Sequence, residues 1–154
     1  MSFEDLPRDW PQRPVTDPAI TADLLDLIVT DRDRAAGALG ILLCGRDDRL
    51  LQPVVVEAPD LRADAAERRR GFDNICAALG HLGEPGADGR VTGLGLLVAL
   101  ARPGPPLATA GDLRWRDTAQ QSCRDHGVGL LGVWLVTPEV IRPLPARTSQ
   151  RHSA

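Results

Sequence analysis

The pattern of apolar and polar positions changes its period several times along the chain, and each change predicts a new element. Apolar residues at i, i+4, i+7 and i+8 from Ile20 onward are one face of a helix, which the Asp-Pro pair at 17–18 can begin. We expect this helix to run to about Asp33. Two apolar runs at 38–44 and 50–57 then enclose a short polar turn, which is typical of a β-hairpin.

The second half of the chain predicts two further helices and three further strands. A helix is expected over 66–82, followed by a buried strand over 91–101. A helix over 109–126 then precedes strands over 130–136 and 140–144. The order α-β-β-α-β-α-β-β predicts an α/β fold, in which helices flank a mixed sheet in a three-layer-like arrangement.

The length of 154 residues is that of one domain, and we expect residues 17–145 to form it. Residues 1–16 contain three prolines among charges and are predicted to be a flexible arm. The polar residues 146–154 are predicted to be a flexible tail. The longest apolar run, 91–101, is much shorter than the roughly 20 residues of a membrane span, so no membrane partner is expected.

Composition excludes several kinds of chemistry. All 18 basic residues are arginine, a usage typical of a GC-rich genome, so a Schiff-base lysine, a P-loop lysine and a Ser–Lys dyad are all excluded. A net charge of −3 and only 3% aromatic residues argue against nucleic acid as a partner. The motifs Gly-x-Ser-x-Gly and His-Glu-x-x-His do not occur, so conventional serine and zinc hydrolases are disfavoured.

Three cysteines at 44, 76 and 123 bear on compartment and metal binding. Their odd number and the lack of a recognisable signal peptide predict a reducing, cytoplasmic location. Cys123 and His126 have the i, i+3 spacing of two zinc ligands on a helix, but no Cys-x-x-Cys pair accompanies them. Burial in the core is the alternative for all three thiols, and we favour it.

The exit of the predicted strand 91–101 is the segment with the most candidate chemistry. Ligands of open α/β sheets tend to bind at the carboxyl ends of strands, and this end presents Arg102 and Pro103. The next helix opens with Thr109 and Asp112, next to backbone N–H groups that can bind an anion. The same two residues can also form a capping box with no ligand.

This segment and the order of elements over residues 38–144 resemble a JAB/MPN domain, most closely its RadC branch. The family signature is His-x-His-Pro at a strand end, followed by Ser-x-x-Asp at the next helix start. The resemblance implies a cytidine-deaminase-like architecture, zinc held by the two histidines and the aspartate, and a glutamate as general base. The family proline corresponds to Pro103, the Ser-x-x-Asp to Thr109–Asp112, and the glutamate loosely to Glu57.

The two histidine positions correspond to Leu100 and Arg102, which changes the expected chemistry. Leucine has no lone-pair donor, and a permanent guanidinium cation repels a metal ion. The resemblance therefore predicts a metal-free domain with no cofactor and no catalytic residue. We also hypothesise that Arg102 pairs with Asp112 in the place of the metal.

Three functions remain open. The first is a non-catalytic module that binds another protein or a second copy of itself, with Trp115 and Trp134 as candidate interface anchors or as core residues. The second is a metal-dependent hydrolase or isopeptidase with a relocated site, built from residues such as Asp112, Glu57, Cys44 or Cys123. The third is a sensor that binds a small anion at Arg102 and the start of the helix at 109–112.

Overall fold

The computed structural model describes residues 5–57, 63–80, 84–85 and 91–145. The helices are α1 (Thr21–Ile28), α2 (Asp31–Ala36), α3 (Ala65–Gly80) and α4 (Ala110–His126), and a 3-10 turn spans Trp10–Gln12. The strands are β1 (Ala38–Cys44), β2 (Leu50–Glu57), β3 (Glu84–Pro85), β4 (Val91–Thr92), β5 (Gly95–Ala101), β6 (Gly129–Val136) and β7 (Ile141–Pro143).

Five of these strands form one open mixed sheet in the order β2-β1-β5-β6-β7. Its neighbours are antiparallel except β5 and β6, which run parallel because α4 connects them as a crossover. Strands β3 and β4 pair separately as a two-residue ladder. The predicted hairpin is confirmed as β1 and β2, and the predicted mixed sheet is confirmed as well.

Two apolar layers, one on each face of the sheet, form the core. Helices α3 and α4 cover one face with side chains that include Phe72, Cys76, Trp115, Ala119 and Cys123. Helix α1 covers the other face with Leu24 and Leu25. Strands β1 and β5 are buried along their whole length because both of their faces are covered. The α/β class is therefore confirmed, with helices on both sides of the sheet. None of the helices in the described ranges has the length and apolarity needed to traverse a bilayer.

The prediction of a single helix up to Asp33 is wrong, because two short helices occupy this stretch. Helix α1 ends at Ile28, and Val29 is extended. Thr30 then caps α2: its hydroxyl accepts the N–H of Asp33 at 3.1 Å, and the Asp33 carboxylate accepts the N–H of Thr30 at 2.9 Å. This capping box stabilises a new helix start within the continuous apolar pattern.

The continuous strand predicted over 91–101 is also interrupted. Gly93 has a φ of +79°, in the left-handed region that favours glycine, and it separates β4 from β5. Strand β4 pairs with β3, whereas β5 enters the main sheet. The expected end of helix α3 at about residue 82 lies outside the described residues.

The segment that precedes α1 is packed against the sheet. Leu6 and Val15 are buried in the layer that α1 covers, and the N–H of Val15 donates to the carbonyl of Asp48 at 2.8 Å. The flexibility expected for residues 1–16 stays a prediction. The tail predicted at 146–154 lies outside the described part of the chain.

Candidate functional site at the end of strand β5

Arg102 lies at the end of β5, on the face of the sheet that α4 covers. Its backbone N–H donates to the carbonyl of Val136 at 3.1 Å, which extends the β5–β6 pairing by one residue. Side chains alternate between the faces of a strand, so Arg102 shares a face with Leu100, which is buried in the layer under α3 and α4. The two positions that the resemblance gives to histidines are therefore neighbours on one face.

The guanidinium of Arg102 has a protein acceptor for each of its five N–H groups. Nε donates to Asp112 Oδ1 at 2.9 Å, and Nη2 donates to Asp112 Oδ2 at 2.7 Å. Nη2 also donates to the carbonyl of Leu107 at 2.9 Å. Nη1 donates to the carbonyls of Pro103 and Pro105, each at 3.0 Å. Arg102 is therefore the centre of a clasp between the sheet, the loop and helix α4.

Asp112 belongs to this clasp and also caps α4. The backbone N–H of Thr109 donates to Asp112 Oδ2 at 2.9 Å, and the Thr109 hydroxyl accepts the N–H of Asp112 at 3.1 Å. The predicted capping box is confirmed. Burial raises the pKa of the Asp112 carboxyl, but the hydrogen bonds from Arg102 and Thr109 outweigh this effect and hold the pKa below its ordinary value.

The clasp argues against an anion site at Arg102. The two side chains of the ion pair are only 11% and 6% exposed, and their charges cancel. A bound anion would have to displace the Asp112 carboxylate from a buried, bidentate hydrogen-bonding geometry. The arrangement therefore favours a structural role for Arg102 over recognition of a small anion.

The residues at this position do not fit a metal ion. Leu100 contributes only carbon, Arg102 places a cation at the centre, and Asp112 uses both carboxylate oxygens to accept hydrogen bonds from Arg102. Within the residues that the structure describes, no group of three or more His, Cys, Asp or Glu side chains is arranged to hold a metal.

Of the residues considered for a relocated hydrolytic site, Cys44 lies far from Asp112. Cys44 pairs with Gly95, at the opposite end of β5 from Arg102, a separation of about 20 Å along a strand. Burial, with a smaller contribution from Asp48, raises the pKa of the Cys44 thiol to about 12. Glu57 lies beside Ala38 in the register of the sheet, and its side chain is outside the described set.

The two candidate anchor tryptophans have different environments. Trp115 is on the buried face of α4 and contacts Phe72 edge to face, with ring centroids 5.9 Å apart. It therefore packs as a core residue. Trp134 is half-buried and lines a cleft with Leu97 and Pro143. Of the two, Trp134 is the one placed where a partner can reach it.

A polar cluster between α3 and α4 was not predicted. The Ser122 hydroxyl donates to Asp73 Oδ1 at 2.6 Å and lies 3.8 Å from Cys76 Sγ. Cys76 and Cys123 are both buried in the core layer under these helices, and His126 Nδ1 donates to the Ser122 carbonyl at 2.8 Å. The sequence held one usable signal: Ser122 lies on the apolar stripe of its helix, and a buried hydroxyl needs a partner.

No protein-family model, curated protein or solved structure matches this chain. The resemblance to JAB/MPN domains therefore depends on its motif and element order alone.

Proposed function

We propose that this chain is a non-catalytic, JAB/MPN-like module that acts by associating with protein, and first of all with a second copy of itself. One observation carries the non-catalytic part of the proposal. Leu100, which is buried, and Arg102 occupy the two positions where the resembled family has zinc-binding histidines. The N–H groups of the Arg102 guanidinium are all bonded to Asp112 and to carbonyls of the adjacent loop.

The open edge of strand β6 supports the part of the proposal that concerns association. Strand β7 pairs with β6 only at residues 134–136, and the N–H of Leu144 adds one bond to the carbonyl of Val133. Pro145 has no N–H, and its carbonyl accepts from Arg116 at 2.7 Å instead of from β6. Among the described residues, Gly129–Gly132 consequently have no strand on the side away from β5. Such an edge readily pairs with another strand.

Two clefts flank this edge, one on each face of the sheet. The cleft on the α4 side is lined by Arg116, Gln120, Leu130, Leu131, Gly132, Val133 and Leu144. The cleft on the α1 side is lined by Thr16, Thr21, Leu97, Leu131, Gly132, Val133, Trp134, Pro143 and Leu144. Successive side chains of an added strand point to opposite faces, so apolar side chains from one added strand can enter both clefts.

A second copy of the chain can supply both the strand that pairs with the open edge and the apolar side chains that enter the two clefts. Two β6 edges can pair antiparallel about a two-fold axis, because the same surface then serves both subunits. Leu130 and Leu131 of one subunit would face the clefts of the other on the two sides of the sheet. The proposed complex is therefore a homodimer with a sheet that continues across the interface.

Sedimentation velocity over a concentration series tests this proposal. We expect the wild-type chain to dimerise and Leu130→Lys to be monomeric, because a lysine at an open edge opposes pairing. Leu51→Lys is the matched control: Leu51 is a 59% exposed leucine on the opposite edge strand, β2, and its replacement is expected to leave the dimer intact. Circular dichroism checks that each variant is folded.

Two results would contradict the proposal. The first is a wild-type chain that stays monomeric throughout the accessible concentration range. The second is a dimer that Leu130→Lys leaves unchanged while Leu51→Lys dissociates it, which would assign the interface to the other edge of the sheet.

A further inference from the structure

Helix α4 and the open edge of β6 enclose a groove that has charged side chains on one wall. The cleft on the α4 side of the edge adjoins a second cleft, which is lined by Gln120, Cys123, Arg124, Val128 and Leu130. Both clefts include Gln120 and Leu130, so they are parts of one groove beside the edge. We call these two clefts together the α4 groove.

The wall that α4 contributes to this groove is basic. Arg116, Gln120 and Arg124 are spaced four residues apart, which places them on one stripe of the helix. Arg116 Nη2 donates to Asp117 Oδ1 at 2.9 Å, and Nη1 donates to the carbonyl of Pro145 at 2.7 Å. Arg124 is exposed, and among the described residues no carboxylate pairs with it. The wall therefore carries a positive charge that is not neutralised within the chain.

The floor of the α4 groove is apolar, and it fits the stem of an acidic side chain. Leu130, Val133 and Leu144 line it beside the open edge. An added strand points every second side chain into this groove. A glutamate at such a position can lay its methylene groups on the floor while its carboxylate accepts charge-assisted hydrogen bonds from a guanidinium on the wall.

The opposite face of the sheet favours a different kind of side chain. The cleft on the α1 side is lined by apolar residues apart from Thr16 and Thr21. The intervening side chains of the same added strand point into this cleft. The two faces together therefore favour a strand in which acidic and apolar residues alternate.

A second copy of the chain can occupy the edge, but it does not neutralise Arg124. Strand β6 contains no acidic residue in its sequence, Gly-Leu-Leu-Gly-Val-Trp-Leu-Val. When two β6 edges pair antiparallel, the two-fold axis is perpendicular to the sheet and keeps both α4 helices on one face. The arginine stripe of one subunit then lies toward that of the other, which opposes pairing.

Building on the association at the β6 edge proposed above, we infer that the preferred occupant of the α4 groove is an acidic strand from another protein. This strand adds to the edge through main-chain hydrogen bonds, as in β-augmentation. Its acidic residues face α4 and approach Arg124, and its apolar residues enter the cleft on the α1 side. Because it uses the same edge as the second copy, binding of the partner and self-association exclude each other.

Fluorescence anisotropy with short labelled peptides tests this inference. The probe alternates valine and glutamate, and two control peptides carry glutamine or lysine in place of every glutamate. We expect the full-length wild-type chain to bind the glutamate peptide at least about tenfold more tightly than the glutamine peptide, and the lysine peptide most weakly. Added salt should reduce this preference, because it screens charges at exposed sites.

Arg124→Glu is the decisive variant. It should remove the preference for the glutamate peptide over the glutamine peptide and make the lysine peptide the tightest ligand. Arg114→Glu is the matched control, because Arg114 is an exposed arginine of the same helix that lies about 200° around the helix axis from Arg116. This control should bind all three peptides as wild type does, and circular dichroism checks that both variants are folded.

Sedimentation velocity with the unlabelled glutamate peptide separates this inference from the homodimer. We expect the peptide to dissociate the wild-type dimer. A chain that dimerises but binds the glutamine peptide as tightly, or binds no peptide, overturns the inference and leaves the homodimer intact. A monomeric chain that prefers the glutamate peptide through Arg124 overturns the homodimer alone. Equal losses in Arg114→Glu and Arg124→Glu would also contradict the inference, because they would indicate attraction by overall charge instead of contact in the groove.

Discussion

At the scale of single residues, the side chain of Arg102 has a structural role at the position where the resembled family has a zinc ligand. Its guanidinium joins the end of β5 to the first turn of α4 through Asp112 and to the loop through three carbonyls. Lysine could not replace it, because only the planar guanidinium offers five donors in a fixed geometry. Removing one partner of such a buried pair typically costs about 3–5 kcal/mol.

The lowered pKa of Asp112 predicts how stability depends on acid. A carboxylate whose pKa is lower in the folded state stabilises the fold above the ordinary value of 3.8, and this stabilisation is lost as the pH falls through the folded pKa. We expect Asp112→Asn to lower the free energy of unfolding at neutral pH by about 3 kcal/mol. The difference from wild type should shrink below pH 3.8.

Urea unfolding of both proteins over a pH series measures this difference. Asp64→Asn is a useful control, because Asp64 is exposed and belongs to the start of a different helix, α3. Its effect is expected to be close to zero, because asparagine caps a helix start about as well as aspartate does. A difference between wild type and Asp112→Asn that stayed constant through the acid range would show that the Asp112 charge does not stabilise the fold.

The sequence could predict some of these residue pairs and not others. The Thr109–Asp112 cap could be predicted because it is a local motif. The Arg102–Asp112 pair could be predicted because the alignment with the resembled family puts the Arg102 cation at the position of a metal ligand. The contact of Ser122 with Asp73 joins residues 49 positions apart in the chain, and it depends on how α3 and α4 are aligned. Helical periodicity predicts the buried face of each helix, but it carries no information about that alignment.

At the scale of elements, periodicity predicted the types correctly and single residues decided where they end. Helix α4 agrees with its prediction because Thr109 caps its start and Gly127, in the left-handed conformation, ends it. The predictions were wrong where one residue interrupts a long apolar pattern. Thr30 starts a new helix and Gly93 breaks a strand, and neither changes the hydrophobic period.

Replacement by alanine is expected to have opposite effects at two glycines, one in the loop between β5 and α4 and one in the first turn of α4. Gly104 has a φ of +101°, and an added Cβ would lie 3.3 Å from Arg102 Nη1. We expect Gly104→Ala to lower the free energy of unfolding by about 1–3 kcal/mol through backbone strain. Gly111 is in the first turn of α4, where a Cβ would meet the Thr109 hydroxyl at an ordinary 3.6 Å. Gly111→Ala should be neutral or stabilising by up to about 1 kcal/mol.

Chemical unfolding of the two variants beside wild type makes this comparison, with equal m-values required before the free energies are compared. If Gly111→Ala destabilised the chain as much as Gly104→Ala does, the loss would come from added volume and not from the backbone conformation. That result would contradict a left-handed backbone at Gly104 as the cause of the strain.

At the scale of the whole molecule, the clasp and the open edge of β6 are separate features of one sheet. The clasp closes the carboxyl end of β5, whereas Gly129–Gly132 lie at the start of β6, next to the start of β5. Association at the edge would therefore leave the clasp undisturbed. The sequence predicted the sheet and its covering helices, but not which edge stays open, because that depends on how soon β7 stops. Pro145 and its contact with Arg116 end that pairing.

The Arg102–Asp112 ion pair closes the centre where the resembled family holds zinc, and calorimetric zinc titration tests this most directly. The protein is prepared without chelator, its zinc content is measured, and wild type is compared with Asp112→Asn. We predict that wild type carries no stoichiometric zinc and takes up none tightly. One tightly held zinc per chain, lost in Asp112→Asn, would contradict the claim.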